Sequence, residues 1–138
     1  MAPTLASLTR RHAALSALGA LSLIAASAHA QGAASLDGRR FEGVFIQRGK
    51  TSGDADTLTF ANGRFRSSAC DRYGYSDAPY RLTAAGDTIV FEAETESPKY
   101  GKLQWKGLVR GDRLDATVLM LQAGKPPVEN WVVAATPR

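Results

Sequence analysis

The feature that most restricts how this chain can fold is a set of very short turns between stretches of alternating apolar and polar residues. Residues 110–113 read Arg-Gly-Asp-Arg, which suits a two-residue hairpin turn with glycine first. Pairing outward from this turn places Val109 opposite Leu114, and Trp105 opposite Val118. One face of the predicted hairpin is therefore apolar, and a one-residue slip would destroy that pattern because side chains alternate between the faces of a strand.

A second connection also indicates that the face of the strand that carries Trp105 points to the interior. The loop over residues 97–101 pairs Ala93 with Trp105, and Thr95 with Leu103. The apolar face of this strand is therefore the same in both of its predicted hairpins. Because two independent turns agree on that face, we expect Trp105 to lie inside the folded domain.

Short alternating stretches of this kind continue along the chain, and no helical period is sustained over three turns. We predict eight strands, over residues 40–47, 56–61, 64–70, 80–84, 87–96, 102–110, 113–121 and 128–135. Asn62-Gly63 and Ala85-Gly86 supply two more tight turns. In the eighth strand both faces are apolar, so the side taken by Trp131 stays open.

The lengths of the connections predict how these strands are arranged. The connections after the second, fourth and sixth strands are tight turns, whereas residues 48–55, 71–79, 97–101 and 122–127 form longer loops. In an up-and-down arrangement the two kinds of connection lie at opposite ends. The fold class is therefore all-β: a single eight-stranded antiparallel up-and-down barrel, with tight turns at one end and longer loops at the other.

The N-terminus has the pattern of a secretory signal peptide over residues 1–30. Arg10 and Arg11 precede an uncharged stretch over 13–28, and residues 28–30 read Ala-His-Ala. We expect cleavage before Gln31, a flexible lead over 31–39 and a barrel domain over 40–138. The processed protein is expected to be periplasmic or secreted, with no stable membrane span.

Composition argues against several functional classes. Both histidines lie in the predicted signal peptide, so residues 31–138 lack the usual general base and the commonest metal ligand. Cys70 is the single cysteine, so no internal disulfide forms. It is either a half-buried residue that packs like a small apolar side chain, or it forms an intermolecular disulfide or is a reactive thiol. We predict no enzyme activity, no metal site and no cofactor. After processing, 15 basic and 13 acidic residues give a net charge of +2 without a basic run, so no nucleic-acid partner is expected.

The acidic residues of the fifth predicted strand have a simple interpretation. Glu92, Glu94 and Glu96 share one face, and the predicted register places Lys106 and Lys102 opposite two of them. Opposite charges across neighbouring strands stabilise a sheet. This arrangement favours a solvated ion ladder over an acid–base site.

The longest loop supplies the best binding candidates. Tyrosine offers a flat apolar face and a hydrogen-bonding tip, and arginine can clamp an anionic group. Our candidate ligand-binding residues are Arg72, Tyr73, Tyr75, Tyr80, Tyr100 and Trp105. The alternative is a loop held down by its own tyrosines, with Arg72 neutralised by Asp71 or Asp77. On the outer face, Val90, Leu108, Leu119 and Leu121 are expected to form an apolar patch, either for a partner or covered by the lead.

The layout resembles the lipocalin and avidin-like (calycin-type) barrels. Residues 60–70, Tyr-Gly-Tyr at 73–75 and Trp-Lys-Gly at 105–107 are similar to small exported bacterial β-barrels of unknown function. The Gly-x-Trp signature of lipocalins is absent from the first strand, which reads Glu-Gly-Val-Phe at 42–45. The resemblance implies a small or amphipathic ligand at the loop-rimmed mouth. It also implies an alternative, a periplasmic protein–protein interaction or inhibitor-type barrel with an envelope protein as partner.

Overall fold

Eight antiparallel strands form one closed barrel in the part of the chain that the computed structural model describes, residues 35–138. The strands are β1 (Arg40–Ile46), β2 (Asp54–Ala61), β3 (Arg64–Ser67), β4 (Ala78–Ala85), β5 (Thr88–Ser97), β6 (Gly101–Arg110), β7 (Arg113–Leu121) and β8 (Val128–Ala135). Each strand pairs with the next along the chain, and β1 pairs with β8 to close the sheet. The predicted eight-stranded up-and-down barrel is confirmed.

The predictions for residues 1–34 concern a part of the chain that the structure does not describe. The predicted signal peptide, residues 1–30, and the first four residues of the predicted lead, 31–34, lie outside the described residues. The barrel itself begins with β1 at Arg40. Within residues 35–138, no helix combines the length and the apolar character needed to cross a membrane.

The two ends of the barrel differ as predicted. Two-residue turns at 62–63, 86–87 and 111–112 lie at one end, which we call the tight-turn end. The longer connections 47–53, 68–77, 98–100 and 122–127 lie at the other end, which we call the mouth. The turn after β4 lies one residue later than predicted, because Ala85 pairs with Thr88 and continues the strand.

The predicted register around β6 is also observed. Val109 lies opposite Leu114, and Trp105 lies opposite Val118 on one side and Ala93 on the other. Trp105 is 2% exposed, and its indole nitrogen donates a 3.1 Å hydrogen bond to the hydroxyl of Thr95. The predicted interior face is therefore the buried face.

Aromatic side chains fill the middle of the barrel. The ring of Phe65 lies 4.8 Å from that of Trp105 and 5.2 Å from those of Phe60 and Phe91, measured between centroids. All four side chains are buried. A Cβ added at Gly107 would lie 2.0 Å from Cε1 of Phe91, so this glycine provides the space for the ring. The barrel centre is thus packed with side chains, as expected for a sheet of eight strands.

The strand β3 is shorter than predicted. It ends at Ser67 instead of residue 70, and a 3₁₀ helix follows over Ser68–Tyr73. The buried carboxylate of Asp56 accepts hydrogen bonds from the Ser67 hydroxyl and from the backbone nitrogen of Ala69. These side-chain hydrogen bonds take the place of further ladder pairs and hold the start of the 3₁₀ helix against β2.

The lead is anchored where the structure describes it. Leu36 is fully buried, and the backbone nitrogen of Gly38 donates a 2.8 Å hydrogen bond to the carbonyl of Phe60. The carboxylate of Asp37 accepts a 2.9 Å hydrogen bond from the backbone nitrogen of Gly63, in the β2–β3 turn. Residues 35–39, which the sequence analysis assigned to a flexible lead, instead cover the tight-turn end of the barrel.

Candidate functional site

A pocket of about 170 Å³ lies at the mouth of the barrel. Its walls are mostly apolar and come from strand ends, the 3₁₀ helix and three loops. They comprise Phe45, Gln47, Asp54, Ala69, Cys70, Tyr73, Tyr75, Tyr100, Leu103 and Met120. An apolar protein cavity of about 150 Å³ holds one benzene molecule. The pocket is therefore large enough for a single small ring or a compact branched group.

Three tyrosines of the pocket are fixed by the chain around them. Gly74 adopts the left-handed conformation (φ 79°) and ends the 3₁₀ helix directly after Tyr73. The chain then carries Tyr75 inward, and its hydroxyl donates a 3.3 Å hydrogen bond to the carbonyl of Tyr100. The rings of Tyr73 and Tyr100 meet edge to face, with centroids 5.5 Å apart.

Ser97 holds the two tyrosine loops together, and the sequence analysis missed it. Its hydroxyl donates a 2.6 Å hydrogen bond to the carbonyl of Tyr73 and accepts a 3.2 Å hydrogen bond from the backbone nitrogen of Tyr100. Ser97 is 2% exposed. Ser97 was assigned to the loop after the fifth predicted strand, which ended at residue 96; its alternation with Thr95, on the inward face, could have indicated this role.

A chain of polar contacts lies beneath the pocket. The hydroxyl of Ser67 donates to the carboxylate of Asp56 and lies 3.3 Å from the sulfur of Cys70. Burial raises the pKa of the Cys70 thiol to about 11, an effect that the contact with Ser67 partly offsets. The thiol is therefore protonated at neutral pH, which favours the buried, apolar-like interpretation of Cys70.

Arg72 lies on the rim of the pocket. Its guanidinium group forms a 2.7 Å ion pair with Asp54 and lies 5.0 Å from the centre of the Tyr73 ring. It is neutralised, as the alternative interpretation of this loop expected, but by Asp54. The two acidic residues named for that role bind other arginines, Asp71 with Arg66 and Asp77 with Arg64.

Two of the six candidate binding residues lie away from the pocket. The backbone nitrogen of Tyr80 donates to the carbonyl of Gly63, and its hydroxyl donates a 2.6 Å hydrogen bond to Asp37. Because β3 is so short, β4 begins beside the β2–β3 turn, which places Tyr80 near the tight-turn end. Trp105 lies in the packed core. Tyr73, Tyr75 and Tyr100 therefore line the pocket, and Arg72 borders it through its contacts with Asp54 and Tyr73.

The remaining pocket walls were not found from the sequence. Phe45, Leu103 and Met120 lie near the mouth ends of β1, β6 and β7 and point inward. Alternation alone identifies them as core residues. Whether such a residue lies at the mouth or in the centre depends on how far neighbouring strands are shifted along the barrel. That shift cannot be predicted from the sequence of a single strand.

The acidic face of β5 forms ion pairs across neighbouring strands, but not the two pairs that were predicted: Glu92 pairs with Arg81 of β4 instead of Lys106. Lys102 lies opposite Glu96 in register, but its amine forms a 2.9 Å ion pair with Glu94. Hydrogen bonds from Lys102 and Gln104 lower the pKa of Glu94. Within residues 35–138, no group of three metal-ligating side chains lies close enough together to hold a metal ion.

Exposed apolar side chains lie on the outside of β1 and β8, and Asp115 of β7 separates them from a further one on β6. The exposed members of this outer patch are Val44, Leu108, Trp131 and Val133, each between 37% and 50% exposed. Register places Val44 beside Val133. Trp131, whose side the sequence left open, faces outward, while Val132 is buried. Of the predicted patch residues, Leu108 is the exposed one, and Leu36 of the lead points into the core instead of covering it.

Comparisons with known proteins supply no relative from which a function can be transferred. The mouth pocket and the outer patch must therefore be interpreted from their own chemistry. Models of protein families, curated protein sequences and solved structures were each compared with this chain, and none of them matches it.

Proposed function

We propose that this chain is an exported binding protein that takes one small apolar or amphipathic ligand at the mouth of its barrel. The observation that carries the proposal is the pocket of about 170 Å³, whose walls are mostly apolar and include three tyrosines. Pockets of this composition bury the apolar part of a ligand and orient it with a few polar groups. The closed eight-stranded barrel supports the lipocalin-like comparison in shape.

The packed interior sets the size of the ligand. Phe65, Phe91 and Trp105 occupy the space that would hold a large ligand in a hollow barrel. One compact group enters the pocket, and the rest of an amphipathic ligand lies over the loops. The proposal places the processed protein in the periplasm or outside the cell, with cleavage before Gln31. It includes no catalytic step, because Cys70 is protonated and residues 31–138 contain no histidine.

Thermal unfolding with a panel of small aromatic alcohols and short-chain amphiphiles tests this function. A ligand that binds the folded state at about 100 times its Kd stabilises it by about 2.7 kcal/mol, which raises the Tm. The variant Ala69→Leu adds bulk inside the pocket and should abolish the shift. Ala61→Leu, at an exposed position, is the matched control and should retain it. If no compound shifts the Tm, or if both variants respond alike, the proposed site is wrong.

A second candidate function is association with another protein through the outer patch. Trp131, Val133 and Val44 are neighbouring exposed apolar side chains, and exposed apolar surface of this kind can serve as a protein–protein interaction site. A second copy of this chain is the partner that we propose, because Lys106 and Asp115 place both signs of charge beside the patch, so that opposite charges can meet when two identical surfaces pack together. Sedimentation of the protein and of Trp131→Lys tests this: the substitution should shift a dimer to a monomer, and a concentration-independent monomer would exclude it.

A further inference from the structure

The mouth pocket has aromatic walls on several sides. Phe45, Tyr73, Tyr75 and Tyr100 all line it, and Asp54 adds a carboxylate. The rings of Tyr73 and Tyr100 are inclined at 89° to each other, so their faces point in different directions. Aromatic faces around a small space attract cations through the negative charge above each ring, and quaternary ammonium groups are recognised in this way.

Two of these rings already hold cations of the chain itself. The guanidinium of Arg72 lies 5.0 Å from the centre of the Tyr73 ring, and the amine of Lys99 lies 5.2 Å from the centre of the Tyr100 ring. Both distances are within the range of a cation–π contact. Both rings therefore already make cation–π contacts with positive charge at the rim of the pocket.

The charge beneath the pocket has the sign that favours a cation. Asp56 is 3% exposed and is linked to the pocket residue Cys70 through Ser67. None of the ion pairs formed within residues 35–138 involves Asp56. Its carboxylate is satisfied by neutral donors, so its negative charge is not cancelled locally. A buried charge is screened less than an exposed one.

The positive charges near the pocket lie outside it. The residues that line the pocket in the described chain include no lysine or arginine. The side chain of Arg72 is 59% exposed and is paired with Asp54. Lys99 is also exposed. Water and salt screen these two cations, whereas the field of Asp56 acts through the protein.

We propose that the mouth pocket selects a small organic cation, of the methylated ammonium class, over a neutral group of the same shape. This inference rests on the proposed function, because it names the ligand class of the same pocket. A volume of about 170 Å³ accepts one trimethylammonium group with its methyl groups against the rings. The cation contributes attraction to the ring faces and to Asp56 that a neutral group lacks.

A matched pair of probes tests the charge separately from the shape. Choline and 3,3-dimethylbutan-1-ol have the same outline and differ in a positively charged nitrogen in place of carbon. Titration followed by NMR, with chloride matched, gives the two Kd values. Choline should bind at least roughly fivefold more tightly, the factor that corresponds to about 1 kcal/mol of cation–π attraction.

Two variants test whether the preference for choline arises in the pocket. Tyr100→Leu removes one aromatic face, and Asp56→Asn removes the buried carboxylate with almost no change of side-chain shape. Each should reduce the preference for choline, measured as the Kd of 3,3-dimethylbutan-1-ol divided by the Kd of choline. Asp56→Asn also covers the case in which Tyr100→Leu does not fold. Tyr80→Phe, at the opposite end of the barrel, is the control and should leave the ratio unchanged.

The outcomes separate this inference from the function on which it rests. If both probes bind with equal Kd, the cation inference is overturned and the binding function stands. If neither probe binds while neutral compounds of the thermal panel do, the cation inference is overturned and the proposed binding function stands. If choline fails and the whole panel fails as well, both proposals fall.

Discussion

The hydroxyl of Tyr80 donates a 2.6 Å hydrogen bond to the carboxylate of Asp37, and this contact ties β4 to the segment before β1. The same hydroxyl accepts a 3.2 Å hydrogen bond from the backbone nitrogen of Leu36. The pair holds Leu36 in the core, where it covers the tight-turn end of the barrel. The lead is therefore part of the folded domain from residue 35 onward.

Replacing Leu36 by alanine should destabilise the barrel strongly. The side chain is fully buried, so Leu36→Ala removes apolar contacts and leaves a cavity at the tight-turn end. We expect the free energy of unfolding to fall by about 2–5 kcal/mol, measured by urea denaturation. Leu108→Ala, at a position that is 50% exposed, is the control and should cost about 0.5 kcal/mol. Equal losses for the two variants would show that the lead does not pack.

Adding a methyl group at Gly107 should strain the core. The new Cβ would lie 2.0 Å from Cε1 of Phe91, so the ring must move. We expect Gly107→Ala to lower the free energy of unfolding by about 1–3 kcal/mol. In Phe91→Leu the ring is absent, and the same glycine substitution should then cost less. A double-mutant cycle measures this coupling, and strictly additive losses would contradict the packing of Phe91 on Gly107.

The buried thiol should make stability fall at high pH. Burial raises the pKa of Cys70 from 9.0 to about 11, so between these values the unfolded chain releases a proton that the folded chain retains. The stabilisation is complete below pH 9 and is lost as the pH rises to 11, by up to about 3 kcal/mol. The pKa values of Tyr75 and Tyr80 are also raised, and they act in the same direction.

The variant Cys70→Ala separates the contribution of the thiol to this pH dependence from that of the tyrosines, because Tyr75 and Tyr80 are unchanged in it. Urea denaturation at pH 8 and pH 11 should show a larger loss for the natural chain than for the variant. The difference between the two losses is the contribution of the thiol. Parallel losses in both proteins would mean that Cys70 is not buried as the structure has it.

The hairpins could be predicted from the sequence because their turns are short. A two-residue turn fixes which residues lie opposite each other, so the pairs around Trp105 follow from counting outward from residues 111–112. The mouth could be located for the same reason, since alternate connections are long. Tyr73, Tyr75 and Tyr100 were found because they lie in those long connections.

The predictions that were wrong or left open concern residues whose positions depend on contacts with distant parts of the sequence. Asp56 alternates with Leu58 and Phe60 on the inward face, and its hydrogen bonds end β3 early. That early end moves Tyr80 to the tight-turn end, which nothing in the loop sequence indicates. In β8, both faces are apolar, so the orientation of Trp131 is decided by the register with β1 and β7.

The two tryptophans should report opposite environments. Trp105 is 2% exposed and Trp131 is 37% exposed. The fluorescence of Trp131→Phe should therefore be blue-shifted relative to the natural protein and weakly quenched by acrylamide. Strong quenching in that variant would place Trp105 in solvent and contradict the register of β5, β6 and β7.

Xenon bound in crystals under pressure tests most directly whether the barrel is packed at its centre and open at its mouth. Xenon enters small apolar cavities and appears as a strong peak of electron density. We expect a peak in the mouth pocket, next to Phe45, Leu103 and Met120. A peak among Phe60, Phe65 and Phe91, or an empty mouth pocket, would contradict this description of the interior.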